Sequence, residues 1–321
     1  MRHVIYFFIL SALFTHQCFS QSKQSLLDSA DKYSELKNYG KAIAVCNRLI
    51  ELDSNDANAY QRRGYLFENM KDYESAMRDY SKAVKLNPEN TEAYLRRADL
   101  LAKLEYWHYA LKDYSTAFNL CTNDTLKEAI LVNRGQAKKN IKDGEGAVQD
   151  YKKALQLNAT SLAALANIGA MLSQLGRHKE AIPHLEKAIQ IDPKFEGGYG
   201  NLALLYAETG EYRKALEISN KLLSFKPKEP YALNNRGFAK LKLNDLIGAM
   251  EDINNSIQLM PSNSFAYKNR GLVYLALRKN KEACIDFQKA LKLGFTEYFG
   301  NEVDELLKKH CLTEADETHD Q

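Results

Sequence analysis

Asparagine recurs at Asn133, Asn167, Asn201, Asn235 and Asn269, a strict step of 34 residues, and Arg62 and Arg96 hold the same place in the preceding periods. An amide side chain both donates and accepts hydrogen bonds. A row of them can hold the N–H and C=O groups of an extended chain without reading its sequence. The plainer alternative is a row that meets only water. Other chemistry is not written in recognisable form. Ser, His and Asp occur outside any GxSxG frame, and there is no glycine-rich phosphate loop. The seven histidines form no HExxH and no clustered ligand set. Neither a metal, a cofactor nor a small-molecule substrate is expected, and no enzymatic turnover.

The chain start is different in kind. Met1-Arg2-His3 is a short basic opening, and Val4–Phe14 is apolar except for one Ser. Eleven such residues are too few to cross a bilayer, which takes about 20. The pattern is that of a signal peptide over 1–20, cleaved after Ser20, with no stable membrane span afterwards. An uncleaved anchor is the alternative. The balance of 44 basic against 41 acidic residues leaves no excess charge to hold nucleic acid by counterion release. Four cysteines remain after cleavage, Cys46, Cys121, Cys284 and Cys311, and none has zinc-knuckle or CxxC spacing.

The asparagines sit inside a wider period. One column reads Ala42, Ala76, Ala110, Ala147, Ala181, Ala215, Ala249, Ala283, with steps of 34 and one of 37. A second reads Ala30, Gly64, Ala98, Gly135, Gly169, Ala203, Gly237, Gly271, with the same slip. A third runs from Leu49 through Ala83 and Ala117 to Ala290, with Ser256 in one unit. Apolar residues between them fall three and four apart, which is a helical stripe. Small side chains let two antiparallel helices approach, so Gly or Ala on the first should face Ala on the second. Pro88, Pro193, Pro227 and Pro261 close the period, because proline stops a helix. The three extra residues fall near Thr125-Leu126-Lys127 and are expected in the link between units.

These columns resemble the tetratricopeptide repeat family over roughly residues 23–297. Ala57–Asn90 and Leu162–Glu229 come closest to the family's full signature. The resemblance implies an all-α fold, a right-handed α-solenoid of about eight helix-turn-helix units. Their expected bounds are 23–56, 57–90, 91–124, 128–161, 162–195, 196–229, 230–263 and 264–297. A capping helix within 298–311 and a disordered acidic tail at 312–321 would follow. Some residues depart from the pattern. Lys138 stands where the family favours an aromatic, and Gly144 and Gly146 sit at the next turn. Gly197, Gly198 and Gly200 crowd one first helix, whose start is expected to fray or to admit a partner's backbone.

The resemblance also implies a non-enzymatic scaffold that binds a protein or peptide, with the first helix of each pair lining a groove. On that face Asn133, Asn167, Asn201, Asn235 and Asn269, with Arg62 and Arg96, become candidate peptide contacts. Neighbouring columns are polar toward the N-terminus, with Asn58, Gln61, Tyr65, Glu92 and Asp99. Toward the C-terminus they turn apolar, with Ala163, Leu204 and Leu272, and with Tyr231, Phe238 and Phe265 as candidate anchors. Coverage by a terminal segment is the alternative. No three consecutive units supply the lysines, asparagines and arginine with which chaperone-tail binders grip a carboxylate, so such tails are not expected. Cys284 and Cys311 should fall side by side if the capping helix runs antiparallel to the last second helix; a disulfide and two free thiols are both open. The leader points to an extracytoplasmic place, bacterial periplasm or secreted. Two readings follow: a scaffold of the cell envelope holding an extended segment in its groove, or a structural subunit of a larger envelope or secretion assembly, packing through its outer face.

Overall fold

The computed structural model describes residues 23–296 and 300–311. The leader at 1–20, the first residues of the expected capping segment and the acidic tail at 312–321 lie outside the described residues. The chain divides after Ala159 into two compact units. The first holds α1 (23–35), α2 (Tyr39–Leu52), α3 (Ala57–Asn69), α4 (Tyr73–Leu86), α5 (Thr91–Lys103), α6 (Trp107–Leu120), α7 (Asp124–Asn140) and α8 (Gly144–Leu157). The second holds α9 (Leu162–Gln174), α10 (His178–Ile191), α11 (Glu196–Glu208), α12 (Tyr212–Phe225), α13 (Pro230–Lys242), α14 (Leu246–Leu259), α15 (Ser264–Ala276), α16 (Asn280–Lys292) and α17 (Glu302–His310). Among the described residues there is no strand. Within each unit, odd and even helices pair as hairpins, and each hairpin packs on the next, giving an α-solenoid arrangement.

The hairpin turn is local chemistry. Each turn passes through one residue with positive φ, glycine at Gly176 (72°) and Gly210 (81°) but lysine at Lys71 (63°). There the Lys71 N–H donates to Glu68 O at 2.9 Å and the Asp72 N–H to Phe67 O at 2.9 Å. These bonds satisfy carbonyls that the helix end leaves open. The Asp72 side chain then accepts from the Ser75 N–H at 3.1 Å and starts the second helix. Hydrogen bonds from Ser75 hold the Asp72 carboxyl below its usual range. Links between hairpins end where prolines were read: α4 stops at Leu86 before Pro88, and α10 at Ile191 before Pro193.

The close approach is made by unequal partners. A Cβ on Gly135 would sit 2.6 Å from the Tyr151 ring, and one on Gly271 would sit 2.5 Å from the Phe287 ring. Gly169 meets Leu185 and Gly237 meets Ile253 at 2.6 Å in the same way. The expectation that small faces small therefore needs correction. Glycine on the first helix receives a bulky side chain 16 residues on, while the alanine column lies beside it, with Ala76 O 3.3 Å from a Cβ on Gly64. Removing the glycine Cβ gives the ring its hole.

One residue before the glycine lies a second contact that the sequence reading passed over. Arg63 forks onto Asp79 at 2.7 and 2.8 Å, and Arg97 onto Asp113 at 2.6 and 2.9 Å. Arg134–Asp150, Arg236–Asp252 and Arg270–Asp286 repeat it. The aspartates are nearly closed to water, with Asp150 1% exposed. Arg63, Arg97, Arg236 and Arg270 titrate above their usual range, chiefly through the hydrogen bond to aspartate. In the α11–α12 hairpin the equivalent positions are Leu202 and Ile218, both buried. A buried ion pair and an apolar pair thus fill the same slot. Lys138 is also explained: its Nζ lies 2.9 Å from Asp150 Oδ2 and 3.3 Å from Gly146 O. Lys240 does the same with Asp252 and Gly248.

Two further expectations change. The three extra residues do not lengthen a link. They extend α7 to 17 residues, because Asn123 caps it through the Leu126 N–H at 2.9 Å and no Pro or Gly interrupts 124–130. The start of α11 is continuous helix from Glu196, since Gly198 packs where a Cβ would lie 2.7 Å from Ile189 and 2.9 Å from Phe195. The array closes on α17, whose Val303 is fully buried beside Phe287 and Phe295, with Leu306 and Leu307 against them. Cys284 near the start of α16 and Cys311 at the end of α17 are joined, with Cα atoms 5.7 Å apart. Cys46 and Cys121 are free and buried, and burial pushes the Cys46 thiol up to about 11.

Two stability outcomes follow. Asp150→Ala strands Arg134 and Lys138 in a dry site and should cost about 3–5 kcal/mol in urea unfolding. Replacing Arg97 and Asp113 together by Leu and Ile, as the α11–α12 hairpin does naturally, should cost far less. Cys311→Ser opens a 27-residue loop and should remove about 3 kcal/mol. The check is a lower thermal midpoint together with earlier proteolysis at α17.

Candidate functional site

The exposed face of the odd-numbered helices differs between the two units. In the first it is a polar network of paired side chains lining clefts of about 270 and 560 Å³. Arg62 is ion-paired to Asp31. Arg96 pairs with Glu92 at 3.3 Å and lies over the Tyr65 ring at 5.1 Å. Asn90 donates to Gln61 Oε1 at 2.8 Å, and Lys23 meets Asp56 at 2.8 Å. Asn133 donates to Asp99 Oδ1 at 3.2 Å, where the Tyr114 hydroxyl also donates at 2.7 Å. Burial raises the Asp99 carboxyl above its ordinary range despite those bonds. Arg62, Arg96 and Asn133 therefore have partners within the chain.

In the second unit the same face is open. A groove of about 310 Å³ runs along α11, α13 and α15, lined by Gly197, Gly200, Asn201, Leu204, Tyr231, Asn235 and Phe265. Nothing lies within 4 Å of where a Cβ on Gly200 would be, so backbone is bare on this floor. Asn201 and Asn235 sit half-buried one helix apart, and Asn235 reaches Gly200 O at only 3.4 Å. Tyr231 is 48% exposed and Leu204 36%. A half-open amide pair, bare backbone and exposed apolar side chains make a surface suited to an extended chain.

The other residues singled out from sequence have different surroundings. Asn167 is half-buried on α9. Asn269 is 3% exposed, and its Nδ2 donates to Asn234 Oδ1 at 3.0 Å. Phe238 and Phe265 are half-buried around the Lys268 ammonium, at 5.5 and 5.8 Å from ring centroid to Nζ. Phe265 also meets Phe295 edge to face at 5.3 Å. Tyr231 is the aromatic left standing in the open. The sequence reading missed Lys268 and Glu302 of α17, while it does name Gly200 as a place that could admit a partner's backbone. Lys268 has its signal one residue before the asparagine column, where Asn234 precedes it by 34 residues.

Among the described residues no group of three or more His, Cys, Asp or Glu could hold a metal. No described helix is long and apolar enough to cross a membrane.

Family models described as tetratricopeptide repeat match residues 24–56, 57–90, 129–161, 172–234 and 266–293. No curated protein matches the chain by sequence. Solved structures do match. A tetratricopeptide repeat protein from Parabacteroides merdae is 25% identical, with a TM-score of 0.62, over 78% of this chain and 97% of that one. The C-terminal part of a repeat protein from Cytophaga hutchinsonii is 21% identical, with a TM-score of 0.57, over 75% and 98%. YrrB, described as having an unusual peptide-binding site, is 21% identical, with a TM-score of 0.50, over 58% and 95%. Repeat matches spread across both units, on helix hairpins that recur at the period of the small-residue columns, place this chain in the tetratricopeptide repeat family.

Proposed function

We propose that the second unit holds an extended segment of a partner protein in the groove between Gly197 and Phe265. The fold suits a protein- or peptide-binding scaffold, and the open groove supports this surface as the one that binds. The observation that carries the reading is the bare backbone at Gly200 beside Asn201, Asn235 and the exposed Tyr231. Helical glycine costs about 1 kcal/mol against alanine, and nothing in the fold fills the space that Gly200 leaves. A partner's backbone fits that gap. The Asn201 and Asn235 amides would take its N–H and C=O groups, and Tyr231, Leu204 and Phe265 would take its side chains.

The action is non-catalytic binding. The setting proposed is extracytoplasmic, in the envelope. Its supports are the leader pattern at Met1–Ser20 and the Cys284–Cys311 pair, which suits an oxidising compartment. A second reading has its own observation. Ile247 on α14 is 86% exposed and Ile285 on α16 is 65% exposed, both on second helices. A subunit docking through that outer face would be disrupted by Ile247→Asp and untouched by groove substitutions.

The groove reading is tested with displayed random dodecapeptides selected on the full chain. Asn201→Ala with Asn235→Ala should lose at least tenfold in affinity at unchanged helicity. Gly200→Leu should keep or raise the thermal midpoint, since leucine is the better helix former, and should abolish binding by filling the floor. Equal peptide affinity in all three proteins would remove the groove as the working surface.

A further inference from the structure

Past Phe265 the groove opens into a second pocket of about 320 Å³ within the same unit, between α11, α13, α15 and α17. Leu204, Phe238 and Phe265 give it apolar walls. One buried hydrogen-bond acceptor on its lining has no donor, and one partly exposed carboxylate stands beside it. The Glu208 side chain, at the end of α11, is 39% exposed, and its Oε2 lies 3.3 Å from His178 Nδ1. Asn269 is 3% exposed and its Oδ1 has no partner, although its Nδ2 is bound to Asn234. Buried acceptors without donors are uncommon because each forfeits its bond to water.

Charge narrows the ligand. The cation in the pocket, Lys268, is already held. Its Nζ lies 3.1 and 3.3 Å from the Glu302 oxygens, within the rings of Phe238, Phe265 and Phe295. Glu208 is left facing His178 and Lys268, and burial raises its carboxyl above the usual range. An anionic ligand would meet Glu208 and Glu302. A neutral apolar ligand would leave Asn269 Oδ1 without a donor and the Glu208 charge unmatched. A guanidinium fits all three features. It carries five N–H donors in a plane, is weakly hydrated, and stacks on aromatic faces.

We infer that this pocket takes an arginine side chain of the bound segment, its guanidinium donating to the Glu208 carboxylate and to Asn269 Oδ1 beside the Phe238 and Phe265 rings. The arginine anchors one end of the segment, while Asn201 and Asn235 hold its backbone. This assignment rests on the groove reading and gives it a sequence preference that an asparagine row alone lacks.

The probe is a set of acetylated, amidated hexapeptide pools. Each fixes one position as arginine or as citrulline, its uncharged isostere, with the other positions randomised. Pools are measured by competition on the full chain. For one fixed position the arginine pool should bind at least tenfold more tightly than the citrulline pool. Glu208→Gln, an isosteric change on a surface carboxylate, should erase that difference. Asn201→Ala with Asn235→Ala should weaken both pools alike. Equal binding of arginine and citrulline pools at every position overturns the inference while the groove reading stands. So does an arginine preference that survives Glu208→Gln. Failure of every pool to bind overturns the groove reading and the inference with it.

Discussion

The structure depends on one steric fact: a ring or branched side chain from the second helix enters a hole made by a missing Cβ on the first. At Gly135 and Gly271 a single added carbon would stand 2.6 and 2.5 Å from Tyr151 and Phe287. No side chain tolerates that approach, so the hairpin can close only with glycine there, or with alanine where the partner shifts slightly. Closing brings the preceding residue of the first helix over the second, and an Arg–Asp fork forms between them. The fork needs the approach, because a bidentate bond of under 3 Å tolerates little splay. Packing comes first and the ion pair is fitted to it. Leu202 and Ile218 show that the slot is the constant feature and that its chemistry is free to vary.

That core leaves the outward face of the first helices without a structural task, and the two units use it differently. In the first unit the side chains there satisfy one another, Arg62 with Asp31, Arg96 with Glu92, Asn133 with Asp99. Its clefts are lined by charges already paired within the chain, so a ligand there would exchange one hydrogen bond for another. In the second unit the face has fewer charges, more bare backbone and exposed rings. Its polar groups are incompletely paired. Water lost from that face on binding would be replaced by contacts the free protein does not make, which is the condition for net affinity.

Much of this was legible in the sequence, and what was not has a common cause. The period fixed hairpin count, helix identity and phase, because small residues recur only where backbones meet. Running the last helix antiparallel put Cys284 beside Cys311, but whether they are joined stayed open until the structure showed the bond. A period names equivalent positions, however, and equivalent positions do not share neighbours. Asn133, Asn201 and Asn269 occupy one column, yet the first bonds to Asp99, the second lines an open groove and the third is 3% exposed. Phe238 and Phe265 read as anchors but turn toward Lys268, a residue that looks unremarkable until three rings and Glu302 surround it. The Arg–Asp forks were readable too. Arg63 and Asp79 recur in phase, and Lys138 gives itself away once Asp150 is seen as a shared acceptor.

Where a fold carries local choices that cost stability without a structural return, the return has to lie elsewhere. Ordinary repeats of this chain place alanine, arginine or asparagine where they bond or pack. Gly200 neither packs nor turns the chain, and Asn269 holds an acceptor that nothing satisfies. Both belong to first helices of one unit, α11 and α15, within one groove and its end pocket. An open helical glycine also occurs at Gly40 of α2, and an unpaired buried acceptor at Asn263. Gly200 and Asn269 differ in lining one groove and its end pocket, and that conjunction is the physical argument that this surface is shaped for an occupant.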